Sequence, residues 1–396
     1  MNERTIRVLG EIDKLKEELI ELTIKITEIP SPPFGEEKRG EYIHEKFEQL
    51  GYRTRFDGLG NVIAYADLEG KDHFVVLSAH LDTVFPEDTD VTVRREGDTL
   101  YAPGVCDDSR GLAVLLKIAE LCNLGLNTEE EVGIVFVATL GEEGLGDLRG
   151  VKYLFNNEEH YEMRERLRAF ITLDGIGINT VVNSGLGSRR YKIKFLGPGG
   201  HSFGAFGMVN PIHSLGKVAV AISEWKVPST PKSTFAISGV SGGRSINAIP
   251  DSCHMLLDTR SEDVAQLDMM MDDLEFLCKK FTRMESKSGY GNLEYSIEVI
   301  GDRPPGKTSH ESALVKAVVR ANESLKYPVK FSVSSTDANI PMSIGIPAVC
   351  VASVHKAGRA HSLEEFVNAD DESLDVVKRN YLLLEYLFEN LKSEIS

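Results

Sequence analysis

Five places in this chain set metal-ligating or proton-transferring side chains where an apolar run ends or a helix begins. In Ser78-Ala79-His80-Leu81-Asp82-Thr83-Val84, His80 and Asp82 are two residues apart and project to the same side of an extended chain. A ligating imidazole commonly gives its second N–H to a carboxylate, a part Asp82 can play for His80. The pair Asp107-Asp108 falls in a glycine-flanked loop that runs into a helix, where one acid can cap or brace and leave the other to coordinate. Glu142-Glu143 stands between two glycines directly after an apolar strand. Adjacent side chains at a strand end point in different directions, so one carboxylate can bind a metal while its neighbour faces water as a general base. Asp174 closes another buried strand in Leu173-Asp174-Gly175, and His361 lies in the short loop Gly358-Arg359-Ala360-His361-Ser362. Each signal alone has an ordinary structural explanation. Together, three strand ends and two helix-leading loops deliver His, Asp and Glu to the side of an open α/β sheet where ligands gather.

The elements that must position these residues follow from periodicity. A helix is expected over 5–27, ended by Pro30-Ser31-Pro32-Pro33, and a second over 36–50 before a β-pair across 53–67. Apolar runs at 74–79, 132–140 and 169–173 read as buried strands, separated by helices at 111–121 and 148–155, which predicts an α/β unit with a largely parallel sheet. After about residue 185 the pattern becomes strand 190–196, helix 211–225, strands 234–238 and 253–259, helix 263–283 and strand 294–300. That β-α-β-β-α-β order is ferredoxin-like. The α/β pattern then returns, with a helix from Ser312, strands at 330–334 and 348–352, and a closing helix after Glu372. The expected organisation is a catalytic domain in two parts, 1–186 and 302–396, covering a mixed, mostly parallel sheet with helices, and an inserted α+β lid over 187–301. The acidic run 129–131 is expected to be a solvated turn, and Met269-Met270-Met271 a helix face.

A chain of 396 residues exceeds the size at which one core keeps growing. Its 42% hydrophobic and 27% charged residues are ordinary for a soluble globular protein. No apolar run reaches the roughly 20 residues of a membrane span. Met1-Asn2-Glu3-Arg4 leads straight into an amphipathic helix without a signal-peptide core, so a cytoplasmic location is the simplest expectation. Five scattered cysteines with no C-x-x-C pair argue against a disulfide framework or a thiolate metal site. A formal charge of −17 disfavours nucleic acid and anionic membrane as partners and favours cations.

The H-L-D-T element at His80, the G-x-x-D-D-x-x-G loop, the G-E-E-G pair, the L-D-G strand end and the late His361 occur in an order that resembles one family. This is the two-zinc metallopeptidases that include peptidase T, aminoacylase, glutamate carboxypeptidase, acetylornithine deacetylase and succinyl-diaminopimelate desuccinylase, with the D-D and G-E-E-G elements closest to the peptidase T-like branch. The resemblance spans nearly the whole chain and implies a zinc-exopeptidase-like fold. It implies that His80 and Asp174 hold one zinc, Glu143 and His361 the other, with Asp107 bridging, Asp82 orienting His80 and Glu142 as base. The spacing D-x-x-x-G-x-A selects Asp107 over Asp108, and relatives often have a cis peptide after the bridging Asp. His201, in Gly199-Gly200-His201-Ser202, matches the lid histidine that stabilises the oxyanion, supplied in dimeric members by the partner subunit. Asn247 and Arg260 match lid positions that bind substrate, where a guanidinium could clamp a carboxylate in bidentate fashion. Asp337 matches a further element and reads as structural.

The activity this implies is hydrolysis of the amide bond in di- or tripeptides by an aminopeptidase using two divalent ions, most simply zinc, although a His and carboxylate set also admits cobalt or manganese. N-acyl-amino-acid deacylase and carboxypeptidase are the alternatives within the family, and a homodimer through the lid is plausible by analogy. A serine hydrolase is suggested by Gly239-Val240-Ser241-Gly242-Gly243, but that motif needs a strand, a sharp turn and a helix, and a loop entering a strand is expected here. The glycines near 141–146 and 185–187 do not make a nucleotide-binding turn. A catalytically silent binding protein would be expected to lack a ligand or the base, and none of these is missing.

Overall fold

Val75, Leu77 and Ala79 of the strand His73–His80 pack into one apolar cluster, while Phe74 and Val76 pack into another on the opposite face. Alternation of that kind with both sets apolar is what a central strand covered on two sides requires. The computed structural model describes residues 3–65, 70–124 and 132–395. It divides into two compact units, Met1–Gly185 with Gly306–Ser396, and Leu186–Pro305.

In the first unit the strands Val132–Thr139, His73–His80, Leu167–Leu173 and Ala348–Val351 lie side by side and run parallel. Antiparallel pairs flank them: Val62–Tyr65 and Arg53–Phe56 on one side, Thr180–Gly185 on the other. The helices Arg110–Asn123, Ala313–Ser324 and Leu374–Ile395 cover one face, and Arg149–Asn156 the other. A separate four-stranded sheet joins Lys356–Gly358, Phe366–Asn368, Thr99–Tyr101 and Arg94–Glu96. Its pairing of Tyr101 with Phe366 holds the loop after Tyr101 beside the loop before Phe366.

The second unit has strands Gly187–Leu196, Ser233–Gly242, Ser252–Ser261 and Glu294–Arg303, all antiparallel, with helices Pro211–Ser223 and Val264–Ser288. Tyr191, Ile193 and Phe195 alternate into its core. Asn210 caps the first helix, with proline following it, and Asp263 caps the second by accepting the Ala265 N–H. The succession of elements is the ferredoxin-like one.

One expectation changes. The single helix over 5–27 is two, Glu3–Ile12 and Lys16–Thr27, separated at Asp13-Lys14-Leu15. Periodicity continued across this break because Ile12 and Leu19 both reach the same core. The β-pair is described as far as Tyr65; its expected extension to Asp67 lies outside the described residues, as does the acidic run 129–131. Ser241 and Gly242 belong to the strand Ser233–Gly242 rather than to a strand–turn–helix elbow. Among the described residues no helix is long and apolar enough to cross a membrane.

Candidate metal centre

Because His73–His80, Val132–Thr139 and Leu167–Leu173 are parallel neighbours, their carboxyl ends release His80, Glu142-Glu143 and Asp174 along one edge of the sheet. Gly141 makes the turn into the glutamates at φ +62°, a conformation other residues adopt at a cost. Asp107 arrives from the segment Val105–Ser109, where the Asp107–Asp108 peptide is cis. His361 follows the strand Lys356–Gly358 and itself sits in left-handed backbone, φ +65°. Left-handed conformations in a non-glycine residue concentrate where a side chain must be aimed.

Asp107 is the shared partner. His80 Nε2 lies 3.0 Å from its Oδ1, and His361 Nε2 lies 3.0 Å from its Oδ2 and 2.9 Å from Glu143 Oε1. His80, Asp107 and Glu143 offer donor atoms that all lie within 4.8 Å of one another. Asp108 turns elsewhere: its Oδ2 accepts the main-chain N–H of His80 at 3.1 Å. Its carboxylate also lies where a Cβ on residue 111 would be 1.9 Å away, which is why Gly111 follows at that spacing. The two adjacent acids therefore divide into one that faces the imidazoles and one that braces the backbone.

Asp82 acts on His80 differently from the sequence expectation. The nearest acceptor to His80 Nδ1 is the main-chain carbonyl of Asp82 at 2.9 Å, with the Asp82 carboxylate at 3.5 Å. That carboxylate instead takes the N–H groups of Glu142 and Glu143 at 2.9 and 2.8 Å, so one buried residue fixes both the histidine and the glutamate turn. Asp174 is anchored through its N–H to Val351 and its carbonyl to Cys350.

Electrostatics mark the cluster as short of positive charge. Burial together with the Asp107, Glu143 and Asp337 carboxylates raises Asp174 to about 7, despite the opposing pull of His80. Burial alone would lower His80, but Asp107, Asp82 and Asp108 hold it well above the usual imidazole value. His361 is pushed up to about 11 by its bonds to Asp107 and Glu143. Divalent cations would relieve the same crowding of carboxylates. A carboxylate-rich set with two imidazoles fits two divalent ions of oxygen and nitrogen preference.

A second grouping, His355, Asp370 and Glu372, also brings donor atoms within 4.8 Å. There the Lys356 ammonium lies 2.5 Å from Glu372 and 3.7 Å from Asp370, so it already carries a cation.

The sequence profile described as peptidase family M20/M25/M40 matches residues 76–385, which contain every residue of this cluster. The chain belongs to that family. Its members are metal-dependent hydrolases. Among solved structures, a tripeptidase from Staphylococcus aureus has a TM-score of 0.76 at 21% identity, covering 94% of this chain and 99% of that one. The aminopeptidase PepT from Bacillus cereus has a TM-score of 0.74 at 20% identity, covering 94% of this chain and 98% of that one. A Pyrococcus abyssi protein assigned as a LysW-lysine/LysW-ornithine hydrolase is 33% identical over 129 residues, 33% of this chain and 34% of that protein. The chain thus matches about a third of that relative's length.

Of the remaining residues the resemblance singles out, His201, Asn247 and Arg260 lie in the second unit and Asp337 in the first. His201 is exposed on the short strand Gly200–His201, paired with Ala248–Ile249, and its Nδ1 accepts the N–H groups of Phe203 and Gly204. Asn247 is beside it: its carbonyl accepts the Ser202 N–H at 2.9 Å, and its side chain accepts the Ser245 hydroxyl. Arg260, on Ser252–Ser261, holds Asp258 at 2.8 Å and is 38% exposed. Asp337 is buried and accepts the Thr139 hydroxyl at 2.5 Å. A residue beside the cluster that the motifs do not single out is Glu365, whose carboxylate accepts the N–H groups of Cys106 and Asp107. The signal available for it was only its spacing, four residues after His361.

Proposed function

We propose that this protein is a zinc aminopeptidase that removes residues from di- and tripeptides, with His80, Asp107, Glu143, Asp174 and His361 holding two divalent ions. The observation that carries this is the Asp107 carboxylate, which offers one oxygen to each imidazole, the arrangement a bridging ligand needs. Zinc suits such donors, and cobalt or manganese would bind them too. Bound ions of this kind polarise the scissile carbonyl and lower the pKa of water. Glu142, buried beside Glu143 with its backbone fixed by Asp82, takes the proton of the attacking water and returns it to the leaving amine. His201 donates to the developing oxyanion, in its own subunit or from a second copy joined through the lid unit, and Asn247 and Arg260 bind the substrate. The likeness to a tripeptidase and to PepT supports peptides with a free amino end. Five free cysteines, four of them buried, suit a reducing cytoplasm.

A second reading, hydrolysis of an amino-acid conjugate such as an N-acylated amino acid, is favoured by the 33% identity over 129 residues to the Pyrococcus protein assigned to LysW-lysine and LysW-ornithine. A panel of di- and tripeptides and N-acylated amino acids, assayed with added zinc, manganese or cobalt, separates the two. Faster turnover of free-amine peptides is the expected result; preference for the N-acylated compounds would replace the aminopeptidase assignment.

A further inference from the structure

Glu365 has no exposed surface. Its Oε1 accepts two consecutive main-chain N–H groups, Cys106 at 2.8 Å and Asp107 at 3.1 Å, and its carbonyl accepts the Ala102 N–H at 3.1 Å. The Cys106 thiol and the Gly104 N–H also bear on this carboxylate, and burial outweighs them to raise its pKa. A carboxylate in such surroundings is costly unless its bonds serve a purpose, because burial penalises the charge. On the other side it is tied to His361 by the shortest of connections: the Glu365 N–H donates to Ser362 and the Ser362 N–H to Arg359, closing a tight turn around His361. Two loops far apart in sequence, one carrying Asp107 and the other His361, therefore meet at a single side chain. The neighbouring strand pair, Thr99–Tyr101 with Phe366–Asn368, brings the loops close but leaves Asp107 six residues beyond its last paired position.

We propose that Glu365 is a positioning residue for the metal centre: it locks the backbone of Asp107 to the turn that carries His361, so that the two donors keep their 3.0 Å relation. This rests on the reading of Asp107 and His361 as ligands. It differs from a packing role in what it predicts. An apolar or shortened side chain would leave the Cys106 and Asp107 N–H groups without their acceptor and free the Asp107 loop to move against His361. Groups that orient ligands from behind them alter metal affinity, whereas packing residues alter stability alone.

The test uses the full-length protein stripped of metal and titrated with Co2+, read by its visible spectrum, and with Zn2+, read by calorimetry. E365A is expected to weaken the ion shared by Asp107 and His361 by about 10–100-fold and to change its cobalt spectrum, as outer-shell substitutions do. E365Q retains an acceptor oxygen for both N–H groups and is expected to restore affinity to within about threefold of native, well inside that range. E364Q, at the exposed neighbouring position, should bind as the native chain does. Native affinity and spectrum in folded E365A would overturn the proposal, even if its melting temperature fell. Should E365A not fold, E365D decides: it keeps the charge but draws it back by one methylene, and a native cobalt spectrum there would overturn the proposal equally. D107N separates this from the ligand reading. If D107N binds both ions as the native chain does, the ligand assignment fails and the positioning role with it; if D107N loses an ion while E365A does not, only the positioning role fails.

Discussion

The two units carry their proposed functional residues in opposite ways. In the first, His80, Asp82, Glu142 and Glu143 are buried at strand ends, and the backbone of each glutamate is pinned by a carboxylate. In the second, His201 and Asn247 are exposed on a two-residue strand pair and its adjoining turn, and the Arg260 side chain bonds to Asp258 of its own strand. Fixed donors suit chemistry in which an error of an ångström is expensive, while exposed groups on short strands suit contacts that form when substrate arrives. Substitutions in the first unit should therefore act on metal content, turnover and stability; in the second, those at Asn247 and Arg260 should act on apparent affinity, and those at His201 on turnover.

The largest effect expected is that of E142Q, which should lower kcat by about 10²–10⁴-fold with metal content unchanged, since it removes only the proton acceptor. Full turnover at normal metal content would remove Glu142 as base. Next comes a contrast within the cluster, measured by urea unfolding of the stripped protein. H80A leaves buried Asp82 without its imidazole and partly buried Asp107 with His361 alone, and should cost about 3–5 kcal/mol. H361A removes a half-exposed ring and should cost less than about 1 kcal/mol. Equal costs would erase the distinction between the buried and open ends of the site.

Asp57 gives a check inside the first unit but away from the metals. Although burial acts to raise its pKa, His160 at 3.1 Å, Asn61 and the Gly60 and Asn61 N–H groups hold it below the usual 3.8. A carboxyl depressed on folding contributes stability that is complete above its unfolded pKa and disappears as pH falls through its folded one. Stability should therefore drop below about pH 4, and D57N should cost about 1–3 kcal/mol at pH 7 and flatten that dependence. The smallest effect belongs to the second unit: R260A should raise KM about tenfold with kcat little changed, and R260K should not rescue it, because lysine lacks the bidentate fork. A fall in kcat at constant KM would place Arg260 with the fixed chemistry instead.

Much of the fold was legible because its signals are periodic. Apolar runs bounded by glycine and acid mark the central strands, and the change to alternating patterns marks the second unit. The family was legible because five weak motifs keep one order along the chain. What escaped the sequence has no period. The break at Asp13-Lys14-Leu15 lies between two helices that share a core face, so the apolar rhythm runs through it. The main-chain carbonyl of Asp82 serves His80 in place of its side chain, a role no residue type announces. Glu365 and Asp108 act on peptide N–H groups of residues remote in sequence, and only the folded chain brings those partners together. His160 gave no sign of a partner, yet it is buried against Asp57, whose loop lies 103 residues earlier.

The most direct test of the account is metal reconstitution of the stripped full-length protein, following hydrolysis of a free-amine tripeptide as zinc is added and bound ions are counted. Turnover should be absent without cation and reach its maximum at two bound ions per chain. Full turnover by the stripped protein would contradict the account.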